Sequence, residues 1–198
     1  IKALIETGTK VIDLGGKTLM PGLIDSHSHA IFGGLEMVSA NMADEIVELD
    51  ELEKRLRTWR EDGTAKHEDV LVIAGMSSGY WAQSEALGKK FNSGEWASVP
   101  VVFVGSDHHT AWANDVMLKR AGIDAALLTS LPEAERDTIG KLEDGRPSGF
   151  LVDAGWDRVA SKMPTPSAAA MLKAAQTAVS YNNSLGITAW MDPAANAA

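Results

Sequence analysis

The sequence predicts an α/β fold in which β-strands and α-helices alternate along the chain. Two short apolar runs, residues 70–74 and 99–104, have no alternating polar positions and end at Gly75 and Gly105, which is typical of strands covered on both faces. Helical patterns precede the first of these runs and follow the second, and this alternation predicts βαβ units with parallel strands. With 198 residues, 45% of them hydrophobic, the chain is long enough to form one compact core.

The first twenty residues carry the pattern of two short strands joined by a tight turn. Residues 11–14 and 17–20 are the two strand segments, and Gly15 and Gly16 supply the turn between them. The pattern therefore predicts strand, turn and strand ahead of the first strongly apolar segment.

Three segments have helical patterns. The first carries apolar residues at helical spacing: Leu49, Leu52, Leu56 and Trp59. The second, residues 111–121, ends at Gly122, a residue type that commonly follows the last turn of a helix. The third begins with Thr165 as a cap and Pro166 at its first position, and it runs through alanine-rich sequence to Leu185.

The C-terminal half contains one more predicted strand and one segment with a weak pattern. Residues 187–191 predict a strand that ends at Asp192 and Pro193. Residues 124–147 are polar and include an evident turn at Asp144-Gly145, so we interpret them as an irregular insertion.

Composition and charge exclude several classes of protein. The formal net charge is −9, from 18 Lys and Arg against 27 Asp and Glu, and no basic cluster exceeds Lys89-Lys90, which argues against a nucleic-acid partner. No apolar run approaches the roughly 20 residues of a membrane span, and nothing near the start is typical of a signal peptide, so we expect a cytoplasmic protein without a membrane partner. The chain has no cysteine, which excludes disulfides and leaves histidines and carboxylates as metal ligands.

His27 and His29 are the first candidates for chemistry. They follow the apolar run Leu23-Ile24-Asp25, which predicts a strand apolar enough to be buried. Because they are two residues apart at the end of a strand, their side chains should face the same way. That geometry suits two ligands of one metal ion, or one ligand and its neighbour in a pocket. The alternative is two ordinary histidines near a loop.

The stretch VIDLGGKTLMPGLIDSHSH, residues 11–29, closely resembles the opening signature of the metal-dependent amidohydrolase superfamily. The resemblance implies a (β/α)8 TIM-type barrel whose first strand ends at the two histidines, and it makes His27 and His29 ligands of a divalent metal, usually zinc. It also assigns residues 1–21 to part of a small β-sandwich domain and residues 22–198 to the N-terminal part of the barrel.

A second stretch, GSDHHTAWAN at residues 105–114, is similar to a block of the N-substituted formamide deformylase-like branch of that superfamily. His109 matches the family histidine, and the resemblance implies that it binds the substrate by polarising or positioning its carbonyl. His108 stands where the family usually has glycine, and we interpret it as an exposed substitution.

Two carboxylates complete the resemblance. The segment GFLVD at residues 149–153, followed by MPTP at 163–166, resembles a region in which this branch places a metal-bridging glutamate. Asp153 occupies that position with a side chain one methylene shorter, which implies a metal ligand, although an ordinary loop aspartate is the alternative. Asp192 also matches a family aspartate and is the second candidate carboxylate.

Trp81 is a candidate substrate-binding residue. It follows the carboxyl end of the predicted strand at residues 70–74, where barrel enzymes place their substrate-contacting loops. The alternative is a tryptophan that only packs.

The resemblance implies metal-dependent hydrolysis of an amide-type C–N bond, other than a peptide bond, in a small-molecule amide substrate. In the family, a general-base aspartate lies on the last barrel strand, which we expect beyond Ala198. A (β/α)8 barrel takes about 250 residues, and about four barrel strands are recognisable here. We therefore expect an incomplete fragment that is nearly inactive alone and forms a homo-oligomer that covers its open sheet edge.

Two other functions remain open from the sequence. One is a non-catalytic metal-binding or assembly module that retains only the H-x-H pair. The other is a doubly wound nucleotide-binding domain, which suits the alternation of strands and helices. The chain lacks a glycine-rich phosphate-binding loop after any strand, which argues against the nucleotide-binding function.

Overall fold

The computed structural model describes residues 2–193. Within that range the strands are β1 (Leu23–Asp25), β2 (Lys66–His67), β3 (Val70–Met76), β4 (Val101–Gly105), β5 (Thr110–Ala113), β6 (Ile139–Lys141), β7 (Pro147–Val152) and β8 (Ile187–Trp190). The α-helices are α1 (Ala30–Met37), α2 (Leu49–Glu61), α3 (Ser84–Phe91), α4 (Asp115–Arg120), α5 (Ala125–Ser130), α6 (Glu133–Arg136), α7 (Ala154–Ala160) and α8 (Ala168–Ser184). Short 3-10 turns cover Lys2–Leu4, Ser78–Gln83 and Gly94–Trp96.

The chain divides into two units. Among the described residues, the β1–β8 unit comprises 2–29 and 180–193, and the six-stranded unit comprises 30–179. Residues 194–198 of the predicted barrel segment lie outside the described residues. No helix in the described part of the chain is both long and apolar enough to cross a membrane.

The sheet of the six-stranded unit is mixed rather than parallel. Its strand order is β2-β3-β4-β5-β7-β6, with β3 and β4 parallel and each of the other neighbouring pairs antiparallel. The predicted parallel arrangement is therefore correct for β3 and β4, which α3 connects as a crossover helix. It is wrong for the later strands, because β4 and β5 are joined by a turn too short for a crossover.

Both faces of this sheet are covered. Leu71 and Ile73 of β3 belong to one buried cluster, together with residues of α2 and α3. Val70 and Val72 belong to a second buried cluster, together with residues of α4, α5 and α7. This alternation follows from the two-residue period of a strand, and it explains why the run has no polar positions.

The predicted helix over residues 111–121 is wrong in its first part. Residues 110–113 form β5, and the helix begins only at Asp115. The boundary is set by Asn114, which is fully buried and whose side-chain oxygen accepts from the N–H groups of Met117 and Val101. Gly122 follows α4 with φ +70°, as the sequence predicts.

The segment at residues 124–147 is more regular than the sequence predicts. It contains the short helices α5 and α6 and the strand β6, which pairs with β7. Asp124 begins α5 because its carboxylate accepts from the Leu127 N–H at 2.8 Å. The predicted turn at Asp144-Gly145 is present, with Gly145 at φ +83°.

The predicted long helix is α8, and it starts slightly later than expected. Ser167, rather than Thr165, supplies the cap, because its hydroxyl accepts from the Ala170 N–H at 3.2 Å. The helix ends at Ser184, and Gly186 follows with φ +80° before β8.

In the β1–β8 unit, β1 and β8 form a two-stranded parallel sheet. The predicted strands at 11–14 and 17–20 are wrong, because residues 5–22 contain no strand and are exposed. An isolated two-stranded hairpin is marginal in water, so these segments need a neighbouring sheet that the described residues do not supply. The expected burial of β1 is also wrong, with Ile24 76% exposed. The partial barrel and the N-terminal sandwich stay predictions.

Candidate active site

His27 and His29 follow β1, where the chain continues to pair with the segment after β8. The Ser28 N–H donates to the Met191 carbonyl at 3.0 Å, and the Met191 N–H donates to the Asp25 carbonyl at 2.9 Å. The Asp25 carboxylate accepts from the backbone N–H of His27 at 3.0 Å. These bonds fix the short segment that carries both histidines.

The two imidazole rings are neighbours. Their centroids are 5.3 Å apart and their planes are nearly perpendicular, at 83°. Two imidazoles on one tetrahedral zinc ion, each with a Zn–N distance of about 2.1 Å, hold their ring centres roughly 5 Å apart. Both residues are exposed. The spacing and the nitrogen donors therefore fit two ligands of one divalent metal ion.

Asp192 lies beside His29, although the two are 163 residues apart in sequence. The parallel pairing of β1 with β8 brings them together, with Asp192 Oδ1 3.1 Å from His29 Nδ1. An ionised carboxylate can only accept a hydrogen bond, so the proton of a neutral His29 belongs on Nδ1. Nε2 then keeps its lone pair. Metal-binding histidines usually make such a bond to a carboxylate through their other nitrogen.

The number of ligands is smaller than a complete metal site requires. Among residues 2–193, no group of three or more histidine and carboxylate side chains is arranged to hold a metal ion. Asp153, the ligand expected from the resemblance, belongs to the six-stranded unit, whereas His27 and His29 belong to the β1–β8 unit. Metal binding by Asp153 therefore stays a prediction.

Asp153, His109 and Trp81 come together within the six-stranded unit, around the turn between β4 and β5. Asp153 Oδ1 is 2.9 Å from His109 Nδ1. The indole N–H of Trp81 donates to the Thr110 hydroxyl oxygen at 2.9 Å, and the ring packs on Phe150 with centroids 5.8 Å apart. Trp81 lies in the 3-10 turn after β3, where the sequence places it.

Asp107 connects these residues and is not among the site residues that the sequence predicts. Its carboxylate accepts from the N–H of His109 at 3.0 Å, and from the N–H and hydroxyl of Thr110, both at 2.9 Å. Burial raises the pKa of the Asp107 carboxyl, but the hydrogen bonds from Thr110 and His109 outweigh burial and hold the pKa below its usual range. The signal in the sequence is an aspartate two residues ahead of the segment it caps, a common side-chain turn.

His108 occupies the same turn but makes a different contact. Its φ is +60°, and its Nε2 lies 3.7 Å from the Glu36 carboxylate. This left-handed backbone is one that glycine adopts without strain, which agrees with the glycine that the resemblance leads us to expect at this position.

Comparison with protein families matches residues 10–198 to the amidohydrolase family. The chain belongs to this family. The match spans the segment with His27 and His29 and the turn with His109, so it supports the superfamily expected from both stretches of sequence. It does not distinguish the formamide deformylase-like branch.

Two curated relatives show how much of a longer protein is represented. The chain is similar to the protein LONG AFTER FAR-RED 3 of Arabidopsis thaliana, 30% identical over 197 residues, covering 97% of this chain and 32% of the relative. It is also similar to the putative amidohydrolase YtcJ of Bacillus subtilis (strain 168), 25% identical over 159 residues, covering 80% of this chain and 29% of the relative. The chain thus spans about a third of the length of these relatives.

A solved structure supports the fold. The chain resembles an uncharacterized metal-dependent hydrolase from Pyrococcus horikoshii OT3 with a TM-score of 0.57 and 19% identity, covering 93% of this chain and 33% of that one. The mixed α/β architecture is therefore similar to the fold of that hydrolase.

Proposed function

We propose that this chain contributes His27 and His29 to a divalent metal centre, with zinc as the expected metal, in an enzyme that hydrolyses amide-type C–N bonds other than peptide bonds. The observation that carries the proposal is the pair of rings 5.3 Å apart, with a carboxylate 3.1 Å from the Nδ1 of His29. When bound, such a metal lowers the pKa of a water molecule toward about 7 and polarises the substrate carbonyl.

Membership of the amidohydrolase family supports the hydrolase class. The name of the Pyrococcus relative, a metal-dependent hydrolase, supports a requirement for metal. The narrower substrate class, small N-substituted formamides and related amides, rests on the sequence stretch at residues 105–114.

The chain's own side chains divide into two tasks in this proposal. His27 and His29 bind the metal, and Asp192 fixes the orientation and the tautomer of the His29 ring. His109 is assigned to substrate contact on the resemblance of its sequence stretch, and its side chain is 76% exposed while its backbone is held by Asp107. Trp81 is the second residue proposed to contact the substrate, and its indole N–H also supports the same turn through Thr110.

A catalytic zinc ion usually takes three protein ligands, of which the proposal assigns two to His27 and His29. No third ligand is assigned here, because residues 2–193 contain no group of three or more histidine and carboxylate side chains that could hold a metal ion. We expect slow hydrolysis by the chain alone, so metal binding rather than turnover is the deciding test.

The test is calorimetric titration of the purified chain with zinc chloride. We expect about one zinc ion per chain, and a loss of affinity of about tenfold or more in His27→Ala and in His29→Ala, because each variant removes one ligand. His67→Ala is the matched control, since this histidine lies on β2 in the six-stranded unit. Equal zinc affinity in the wild type and in both site variants contradicts the proposal.

A further inference from the structure

The backbone that carries His109 is held rigidly. In the turn between β4 and β5, the Asp107 carboxylate accepts from the N–H groups of His109 and Thr110 at 3.0 and 2.9 Å. A Cβ at Gly105 would clash with the Thr110 hydroxyl oxygen, so the start of this turn accepts only glycine without displacement. The position of the His109 ring is therefore determined mainly by what its side chain contacts.

Asp153 contacts His109 through both its backbone and its side chain. The Asp153 N–H donates to the His109 carbonyl at 2.9 Å, one step beyond the ladder in which Thr110 pairs with Val152. The carboxylate Oδ1 lies 2.9 Å from His109 Nδ1. The antiparallel pairing of β5 with β7 thus places the carboxylate of Asp153 on one particular nitrogen of the imidazole.

The backbone of Asp153 is strained. Its φ and ψ are +40° and −111°, a combination that glycine adopts easily and that an aspartate adopts only at a cost. Strained residues of this kind occur mainly where the side chain has a function, because a glycine would otherwise serve better. The side-chain contact that this conformation makes is the one with His109.

We propose that Asp153 is a positioning residue that holds neutral His109 in the tautomer protonated on Nδ1, so that its Nε2 accepts a hydrogen bond from the N–H of an amide or amine ligand. An ionised carboxylate has no proton to donate, so the hydrogen between the two residues belongs to Nδ1. The lone pair is then on Nε2. A neutral imidazole of this tautomer cannot donate to a carbonyl oxygen from Nε2. The proposal therefore replaces the carbonyl contact that the resemblance implies for His109 with a contact to the N–H of an amide.

The assignment of a ligand rests on the proposed function, but the tautomer does not. The tautomer can be tested independently of the ligand by measuring the 15N chemical shifts of the His109 ring in the full chain, without metal and without turnover. A failure of zinc binding would contradict the proposed function and leave the tautomer of His109 unaffected.

The first experiment is a long-range proton–nitrogen correlation spectrum of the 15N-labelled full chain at about pH 8.5, two units above the ordinary histidine pKa of about 6.5. His109→Gln assigns the signals. We expect protonated Nδ1 and unprotonated Nε2 in the wild type, and a shift of the tautomer toward protonated Nε2 in Asp153→Ala. Asp144→Ala, which removes an exposed carboxylate elsewhere in the same unit, should leave the spectrum of His109 unchanged.

Asp153→Gly guards against a variant that fails to fold, because it removes the carboxylate and also relieves the strained backbone. It should change the tautomer as Asp153→Ala does. Protonated Nε2 in the wild type, or an unchanged tautomer in both variants, overturns the positioning role.

The second experiment compares two small amides as probes, N-methylacetamide and N,N-dimethylacetamide, which differ in the presence of an N–H group. At equal concentration, we expect the first to shift the Nε2 resonance of His109 and the second to shift it much less. Equal shifts, or none with either amide, overturn the assignment of Nε2 as an acceptor of an amide N–H.

Discussion

Residues 2–193 include two histidine–aspartate pairs that share the same atom-to-atom contact but are held by different backbone structures. In the first pair, His29–Asp192, the atoms Nδ1 and Oδ1 are 3.1 Å apart, and in the second, His109–Asp153, they are 2.9 Å apart. The carboxylate of the first pair is 14% exposed, whereas that of the second is 62% exposed. Asp153 has a positive φ, and Asp192 does not.

The difference shows two ways to fix one nitrogen of an imidazole. Parallel pairing of β1 and β8 brings the first pair together, so an ordinary backbone can carry a carboxylate that is largely shielded from water. The second pair depends on a tight turn and a strained residue, and its exposed imidazole faces solvent. The first construction suits a metal ligand, and the second suits a group that contacts a ligand from solution.

The largest expected effect tests the first pair. Asp192→Ala should lower zinc affinity by about 10- to 100-fold, because it removes the carboxylate that orients a metal-binding histidine. Asp13→Ala is the control, since Asp13 lies in the same unit and its carboxylate only accepts from the Gly15 N–H. Calorimetric titration of both variants measures the effect, and equal affinities would show that the first pair does not support metal binding.

The second prediction contrasts the backbones of the two pairs. At position 153, glycine should be more stable than alanine by about 1–2 kcal/mol, because both variants lose the carboxylate and only glycine relieves the strain. At position 192, alanine should be more stable than glycine by about 0.5–1 kcal/mol, since the backbone there has no positive φ. Urea unfolding of the four variants gives both differences, and the same order at both positions contradicts the contrast.

The third prediction concerns the support of the second pair. The variants Trp81→Phe and Thr110→Val each break the 2.9 Å hydrogen bond between the Trp81 indole and the Thr110 hydroxyl. The double variant should therefore lose no more unfolding free energy from that bond than either single variant does. A double-mutant cycle of unfolding free energies should therefore give a coupling of about 1 kcal/mol. A coupling of zero would separate Trp81 from the turn that carries His109.

The smallest expected effect is a pH dependence of the same turn. The folded pKa of Asp107 is lowered, so its stabilising contribution is present above the unfolded pKa of about 3.9 and is lost as pH falls through the folded value. Asp107→Asn should therefore be less stable than the wild type at neutral pH, and the difference should shrink below about pH 4. Unfolding at several pH values measures it, and a difference that is constant down to pH 2 contradicts the assignment.

Local patterns in the sequence are sufficient to predict the helices and strands whose side chains form the buried core. The apolar spacing of Leu52 and Leu56 predicts α2, and the unbroken apolar run predicts β3, because both patterns reflect burial in the structure. The sequence does not predict the boundary at Asn114, because Thr110–Ala113 fits a strand or a helix equally well at that length. Its buried amide, which begins α4, decides between them.

The candidate site could be predicted only in its local parts. His27 and His29 are visible in the sequence because they are two residues apart. The contact of His29 with Asp192 depends on the register of two strands that no local pattern encodes. The contact of His109 with Asp153 depends on the pairing of β5 with β7. It also depends on a positive φ at Asp153, a conformation that aspartate rarely adopts and that the sequence therefore does not predict.

The most direct test of the metal centre is an anomalous difference map, at the zinc edge, of crystals of the chain grown with zinc chloride. The account predicts one peak shared by His27 and His29, with His29 bound through Nε2 because Asp192 holds Nδ1. A map with no peak beside these two histidines, or with the strongest peak at His67 or His108, contradicts it.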